Sequence, residues 1–218
     1  MRQNDEKDNL SNALIETLEG SATDILENCL DTIIDDDTLK KMPLIHSAVS
    51  LCKFGNELYK QFYIRKLYGF IKRLNDNIVD DEERKLHILQ LKKDPKRANK
   101  ELAYIAIAIE RYLEQDKPDY LAKCYLAYLR KKISWNDFCM YSVLIDRLLL
   151  FDIQCFKKFY TRDIVTSKDV DESDEDSIIR IASLGILTMN MGFSNFEDVK
   201  YEYYVTSRAK KFAEFIFE

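Results

Sequence analysis

Two histidines and five cysteines are the residues of this chain best suited to metal, acid–base or covalent chemistry. His46 lies in PLIHSAV and His87 in KLHIL, each among apolar neighbours. Neither has a second histidine or a cysteine at ligand spacing, so both read as structural histidines rather than metal ligands. Cys29, Cys52, Cys124, Cys139 and Cys155 are odd in number and widely spaced. A zinc site or a disulfide framework needs clustered, even patterns. These five therefore read as shielded, unpaired thiols in a reducing compartment. A cysteine nucleophile needs a histidine beside it in space, and no catalytic signature surrounds any of the five. The acidic run DVDESDED at 169–176 offers carboxylates to calcium. Counted from Asp169, however, its sixth and twelfth positions hold Asp174 and Arg180, where a calcium loop of the EF-hand type needs glycine and glutamate. It reads as a solvated linker ending in a helix N-terminus, where acids are favoured. The five glycines form neither GxGxxG nor GxxxxGKS/T, so no phosphate-cradling loop is present. The expectation is no catalytic residue, no cofactor and no metal.

Binding chemistry is better represented. Lys53 to Leu74 reads KFGNELYKQFYIRKLYGFIKRL, with six aromatics, six basic residues and one acid in 22 positions. On a helix of about 100° per residue, Tyr63, Ile64, Leu67, Phe70, Ile71 and Leu74 fall within an arc of about 120°. Arg65, Lys66, Lys72 and Arg73 fall on the other side in an arc of similar width. The pattern predicts a core helix whose back is an exposed basic face, extended by Lys92, Lys93, Lys96 and Arg97. Arg65, Lys66, Lys72 and Arg73 are the candidate partner-binding residues, for an acidic protein or a nucleic-acid backbone. Membrane insertion would take the apolar arc from the bundle that needs it. Before Gln61 the stripe shifts to Phe54, Leu58 and Phe62, which predicts either a bend near 61–63 or a first half buried on several sides.

The elements that must position these residues are helical. Gly and Pro number only five and three, too few for the turns of an all-β chain. Apolar residues recur at helical spacing from Leu10 to Ile34, with a break at Gly20-Ser21 and an acidic turn at Asp35-Asp36-Asp37. Pro43 suits the first turn of a helix running through Leu51 and Phe54. Four helix starts then follow in succession: Asp80 with Glu83, Asp94-Pro95, Asp116 with Pro118, and Ser134 with Asp137. Short connectors between them describe a helical bundle. The run LAYIAIAI at 102–109 is too short to span a bilayer and reads as a core helix. MRQNDEKDN at the start is polar and acidic, unlike a signal peptide, and a cytoplasmic location is expected. The net charge of −5 gives no global attraction to nucleic acid or anionic lipid.

After Tyr160 the pattern changes: an acidic loop, a helix from about Glu175 to Leu184, ILTMNM at 186–191, a polar turn, and VKYEYYVTS at 199–207. Val199, Tyr201, Tyr203 and Val205 alternate as in a strand, predicting an antiparallel hairpin with 186–191, and Thr206 or Ser207 then caps a terminal helix. Leu184-Gly185-Ile186-Leu187 followed by Val205-Thr206-Ser207-Arg208-Ala209 resembles the end of a winged-helix domain over roughly residues 140–218. In that family an LG(I/L)L corner leads into a two-stranded wing and LTxxG leads into a last helix; Ala209 replaces the glycine. The middle of the chain, KPDYLAKCYLAYLRKKISWNDFCMYSVLIDRLLLFDIQCF, is similar to small bacterial helical proteins found near mobile elements and phage-defence genes. The expected fold is mainly α: a helical bundle over 1–133 and a winged-helix-like module with a small hairpin over 134–218. A winged-helix recognition helix works through basic and amide side chains, but EDSIIRIASLG carries one arginine, Arg180, behind a run of acids. The residues therefore point to a non-catalytic protein-binding component, and the resemblance of the middle segment, to proteins of no defined function, implies a bacterial defence or mobile-element system. A nucleic-acid-binding regulator and an enzyme of unfamiliar type are the alternatives.

Overall fold

Helix caps written into the sequence set most of the architecture. The computed structural model describes residues 12, 14–15, 17–18, 43–76, 82–194 and 198–217, and these are mainly helical with one small antiparallel sheet. Asn12, Leu14, Ile15, Thr17 and Leu18 are helical. Cys29, the expected restart at Gly20-Ser21, the turn at Asp35-Asp36-Asp37 and the capping position Asp80 lie outside the described residues. The helices that follow are α1 (Pro43–Leu51), α2 (Glu57–Asp76), α3 (Glu82–Lys93), α4 (Pro95–Arg111), α5 (Lys117–Leu129), α6 (Trp135–Arg147) and α7 (Leu150–Phe159). Then come β1 (Ile164–Thr166), two short 3-10 turns (Ser167–Asp169 and Glu172–Asp174), α8 (Glu175–Ser183), β2 (Leu187–Ser194), β3 (Asp198–Val205) and α9 (Ser207–Phe217). None of the described helices is long and apolar enough to cross a membrane.

The caps are explicit. Asp94 accepts the Arg97 N–H at 3.1 Å to open α4 behind Pro95. Ser134 and Asp137 exchange a reciprocal pair, with Asp137 N–H to Ser134 Oγ at 3.1 Å and Ser134 N–H to Asp137 Oδ2 at 3.0 Å. This is the capping box its spacing predicts. α1 stops at Leu51 instead of reaching Phe54, because Asn56 starts α2 afresh by accepting the Tyr59 N–H at 2.8 Å. The first turn of α2 is exposed at Glu57, Leu58 and Tyr59, so neither a bend at 61–63 nor a first half buried on several sides is needed to explain the altered stripe. α5 ends with Lys131 in the left-handed region at φ 56°. There the Lys131 N–H reaches Tyr128 O at 2.9 Å and the Lys132 N–H reaches Ala127 O at 2.9 Å. That is a Schellman closure with lysine where glycine is usual.

Two compact units divide the chain, Met1–Cys139 and Met140–Glu218. The division falls within α6, downstream of the boundary at 134 expected from the sequence. In the first unit, Tyr63, Ile64, Leu67, Phe70, Ile71 and Leu74 of α2 are all buried, with Leu102, Ile105, Ala106 and Ile109 of α4 and Leu121, Ala122, Cys124 and Tyr125 of α5. The run 102–109 is not buried all round, since Ile107 is 54% exposed.

In the second unit, the hairpin is longer than its sequence suggests. β2 and β3 pair antiparallel from Leu187↔Val205 to Ser194↔Asp198. β1 adds to the other edge of β3 through Val165↔Tyr203, giving the order β1-β3-β2. Tyr203 and Val205 are buried as their alternation predicts; the side chains of Val199 and Tyr201 lie outside the described set. Gly185, at φ +73°, closes α8, with its N–H to Ala182 O at 2.9 Å and the Ile186 N–H to Ile181 O at 3.3 Å. Thr206 caps α9 by accepting the Ala209 N–H at 3.2 Å and is itself tied to Ile186 O. Ala209, Phe212, Ala213 and Ile216 are buried, and Tyr141 packs on Phe212 with ring centroids 5.0 Å apart.

Candidate functional site

The basic side of α2 is narrower than a wheel of the sequence indicates. Arg65 and Lys72 are exposed, but Lys66 is only 1% exposed, so the four residues do not form the open basic face that the sequence predicts. At about 100° per residue Lys66 and Arg73 lie on one flank of the arc, next to Phe70, while Arg65 and Lys72 lie near its true opposite. Side chains on that flank meet neighbouring helices. The Lys66 ammonium donates to Glu110 O at 3.1 Å and Tyr112 O at 2.6 Å, carbonyls at the end of α4 that have no helical partner. It also lies 5.4 Å from the Phe62 ring centroid. Burial brings its pKa down to about 8, against an opposing pull from the Glu110 carboxylate. Arg73 is half-buried and pairs with Asp119 of α5 through Nε to Oδ1, and through Nη2 to Oδ2 at 3.1 Å. Two of the four proposed contacts thus hold the bundle together, leaving Arg65 and Lys72 on the surface.

Around Lys66 the structure gathers further polar groups. The Tyr63 hydroxyl donates to Ala106 O at 3.1 Å, and the Tyr59 hydroxyl to Glu110 Oε1 at 3.0 Å. Burial raises the pKa of Tyr63, and raises the half-buried Cys52 thiol beside it. A raised thiol pKa is the reverse of what a nucleophile needs.

A second convergence, unread in the sequence, centres on Glu101, which is 2% exposed in α4. Its Oε2 takes the Tyr125 hydroxyl at 2.9 Å and pairs with His87 Nε2 at 3.0 Å. Its Oε1 takes Arg97 Nε at 3.0 Å and the Tyr128 hydroxyl at 2.8 Å. Arg97 also donates to the Tyr128 oxygen at 2.8 Å and to Gln90 Oε1 at 3.3 Å. Burial opposes ionisation of Glu101, but His87 and the two tyrosines outweigh it, so its pKa stays below the usual glutamate value. The phenol of Tyr128, between Glu101 and Arg97, is pushed up to about 12, chiefly by burial. His87 is thus held by a carboxylate, as an acid–base pair would be. The carboxylate's acceptor sites are filled by four partners, two on each oxygen. It is a structural hub joining α3, α4 and α5. The only sequence signal for it is Arg97 at i,i+4 to Glu101; the other donors are brought together by tertiary packing.

In the second unit the lone arginine of α8 is engaged. Arg180 donates to Asp152 through Nε at 3.0 Å and Nη2 at 2.8 Å, and to Ser177 Oγ at 3.1 Å. Asp152 is fully buried and also accepts the Leu149 N–H at 2.9 Å, which starts α7. Glu172, Glu175, Asp176, Ile179 and Ser183 remain exposed in and just before α8. The acidic linker is more ordered than its sequence suggests. Asp169 accepts the Thr166 N–H and hydroxyl at 2.9 and 2.7 Å, and Asp174 pairs with Lys158 at 2.5 Å. Among the described residues, no group of histidine, cysteine and acidic side chains is placed to hold a metal ion. Cys52, Cys124, Cys139 and Cys155 form no disulfide, and Cys124 and Cys155 are buried. No family model, curated protein or solved structure matches the chain.

Proposed function

We propose that the chain is a non-catalytic protein-binding component whose C-terminal unit is a winged-helix-like module used on protein rather than DNA. The observation that carries this reading is the fate of Arg180. The one cation of α8 is locked onto buried Asp152, while the helix offers solvent Glu175, Asp176 and Ile179. An acidic surface repels phosphate, whereas an exposed isoleucine with two carboxylates one turn before it suits a partner with an apolar pocket beside a basic patch. The β1-β3-β2 order after a helix supports the winged-helix part of the reading. Arg65 and Lys72 are the remaining candidates for contact with an acidic partner, and the defence or mobile-element setting comes from the resemblance of the central segment.

The test is co-purification of the tagged full chain from its native host, beside the variant Asp176→Arg/Ile179→Asp and the variant Arg65→Glu/Lys72→Glu. A partner lost from the α8 variant, with its urea midpoint unchanged, supports the proposal. Retention of every partner by both variants, or a mobility shift of duplex DNA abolished by the α8 variant, overturns it.

A further inference from the structure

The first unit carries a second charged surface, assembled from segments that the sequence keeps about thirty residues apart. Lys92, Lys93, Lys96 and Lys100 are exposed around the α3–α4 corner, and Lys131 and Lys132 are exposed at the end of α5. The Glu101 hub joins the two sites, since Arg97 bonds the Tyr128 hydroxyl at 2.8 Å. The left-handed turn at Lys131 folds residues 131–132 back over Tyr128 and Ala127. Trp135 completes the surface. It is half-buried, with ring centroids 5.2 Å from Tyr128 and 5.5 Å from Tyr104.

The carboxylates of these segments are committed elsewhere. Glu101 is inside the hub, Asp94 caps α4, and the Asp137 carboxylate accepts the Ser134 N–H and hydroxyl. None of the exposed large apolar side chains among the described residues falls within 92–104 or 128–137. A protein interface needs an apolar centre; within 92–104 and 128–137 this surface has only the part-exposed face of one tryptophan, the exposed Leu86 and Leu89 lying further back on α3. Flexible lysines around an aromatic ring are instead the means by which proteins hold an unpaired strand: ammonium groups follow the phosphates and a base stacks on the ring.

We propose that Lys93, Lys96, Lys100, Lys131 and Lys132, with Trp135 as the stacking surface, bind the phosphodiester backbone of single-stranded nucleic acid. This surface belongs to the first unit and α8 to the second, and the proposal is independent of the protein-binding reading. Trp135 is the chain's single tryptophan, so its fluorescence reports this surface alone. Unlabelled oligouridylate and oligothymidylate of about 20 nucleotides, a length that exceeds common strand-binding footprints, should quench it saturably in the full chain at low salt. Each phosphate contact should add about −0.7 to the slope of log affinity against log salt, giving a slope of roughly −2 to −4. Replacing the five lysines by glutamine should weaken binding at least about tenfold, the loss expected when several phosphate contacts go. A variant changed only at Lys93, Lys96 and Lys100 guards against a folding effect from the turn, and Arg65→Gln/Lys72→Gln should bind as the parent does. The RNA and DNA arms distinguish which strand is preferred. No saturable quenching, equal binding by both lysine variants, preference for a duplex, or equal binding of polyglutamate would each overturn the proposal.

Discussion

Lys66 and Glu101 show how a single charged side chain can hold helices together. Lys66→Met removes the donor from two carbonyls at the end of α4 and should destabilise the first unit by about 1–3 kcal/mol at pH 7. The pH dependence has a definite sign. The folded pKa, about 8, lies below the ordinary lysine value of 10.5, so above pH 8 the unfolded chain holds a proton that the folded chain has released. Stability from this residue therefore rises with pH between about 8 and 10.5 and is lost as pH falls through 8. The gap between wild type and Lys66→Met in urea midpoint should widen from pH 7 to pH 10; a constant gap would mean that Lys66 titrates normally. Glu101→Gln puts an amide among four partners and should cost about 3–5 kcal/mol, read from urea unfolding. The sequence showed neither role. A wheel separates apolar from charged residues but does not tell a flank from a back, and Lys66 sits on a flank. Glu101 stands at the head of an apolar run, and its partners from α3 and α5 become neighbours only after folding.

At the scale of elements, local signals were legible where they act through the backbone. Asp94-Pro95, Ser134 with Asp137, Leu184-Gly185 and Thr206 all work where their spacing placed them, since a cap needs only residues a turn apart. β1 was missed: three residues are too few to show alternation, and β1 exists because β3 presents an edge to it. The start of α7 at Leu150 was also missed, because its cap is the side chain of buried Asp152 acting on Leu149, within an unbroken apolar run. Gly185→Ala provides a direct test of the α8–β2 corner. No heavy atom lies within 4 Å of the added methyl, so the cost is backbone strain at φ +73°, about 1–2 kcal/mol. Thermal unfolding of the variant should show that loss with the sheet content unchanged; a loss well beyond it would mean that the corner also sets the register of the hairpin.

At the scale of the whole molecule, each of the two units has its own buried thiol. Cys124 lies in the first and Cys155 in the second, and burial raises both pKa values, Cys155 to about 12. Both should label only when their own unit opens, whereas half-buried Cys52 and Cys139 should react first. Glu101→Gln should speed labelling of Cys124 and leave Cys155 unchanged, and Arg180→Gln should do the converse. Mass-spectrometric rates that instead rise together in either variant would mean that the units open as one.

The saturation of Glu101 has a consequence for how this protein can change over time. With four groups on one carboxylate, a substitution at 87, 97, 101, 125 or 128 leaves the others with a vacancy or a surplus donor. A shorter aspartate cannot span the distances, and a glutamine presents hydrogens where acceptors are needed. The five positions should therefore behave as one heritable unit. In a library of random variants, singles at these sites should be depleted together. Survivors that lose Glu101 should carry compensating apolar replacements at several of the other four.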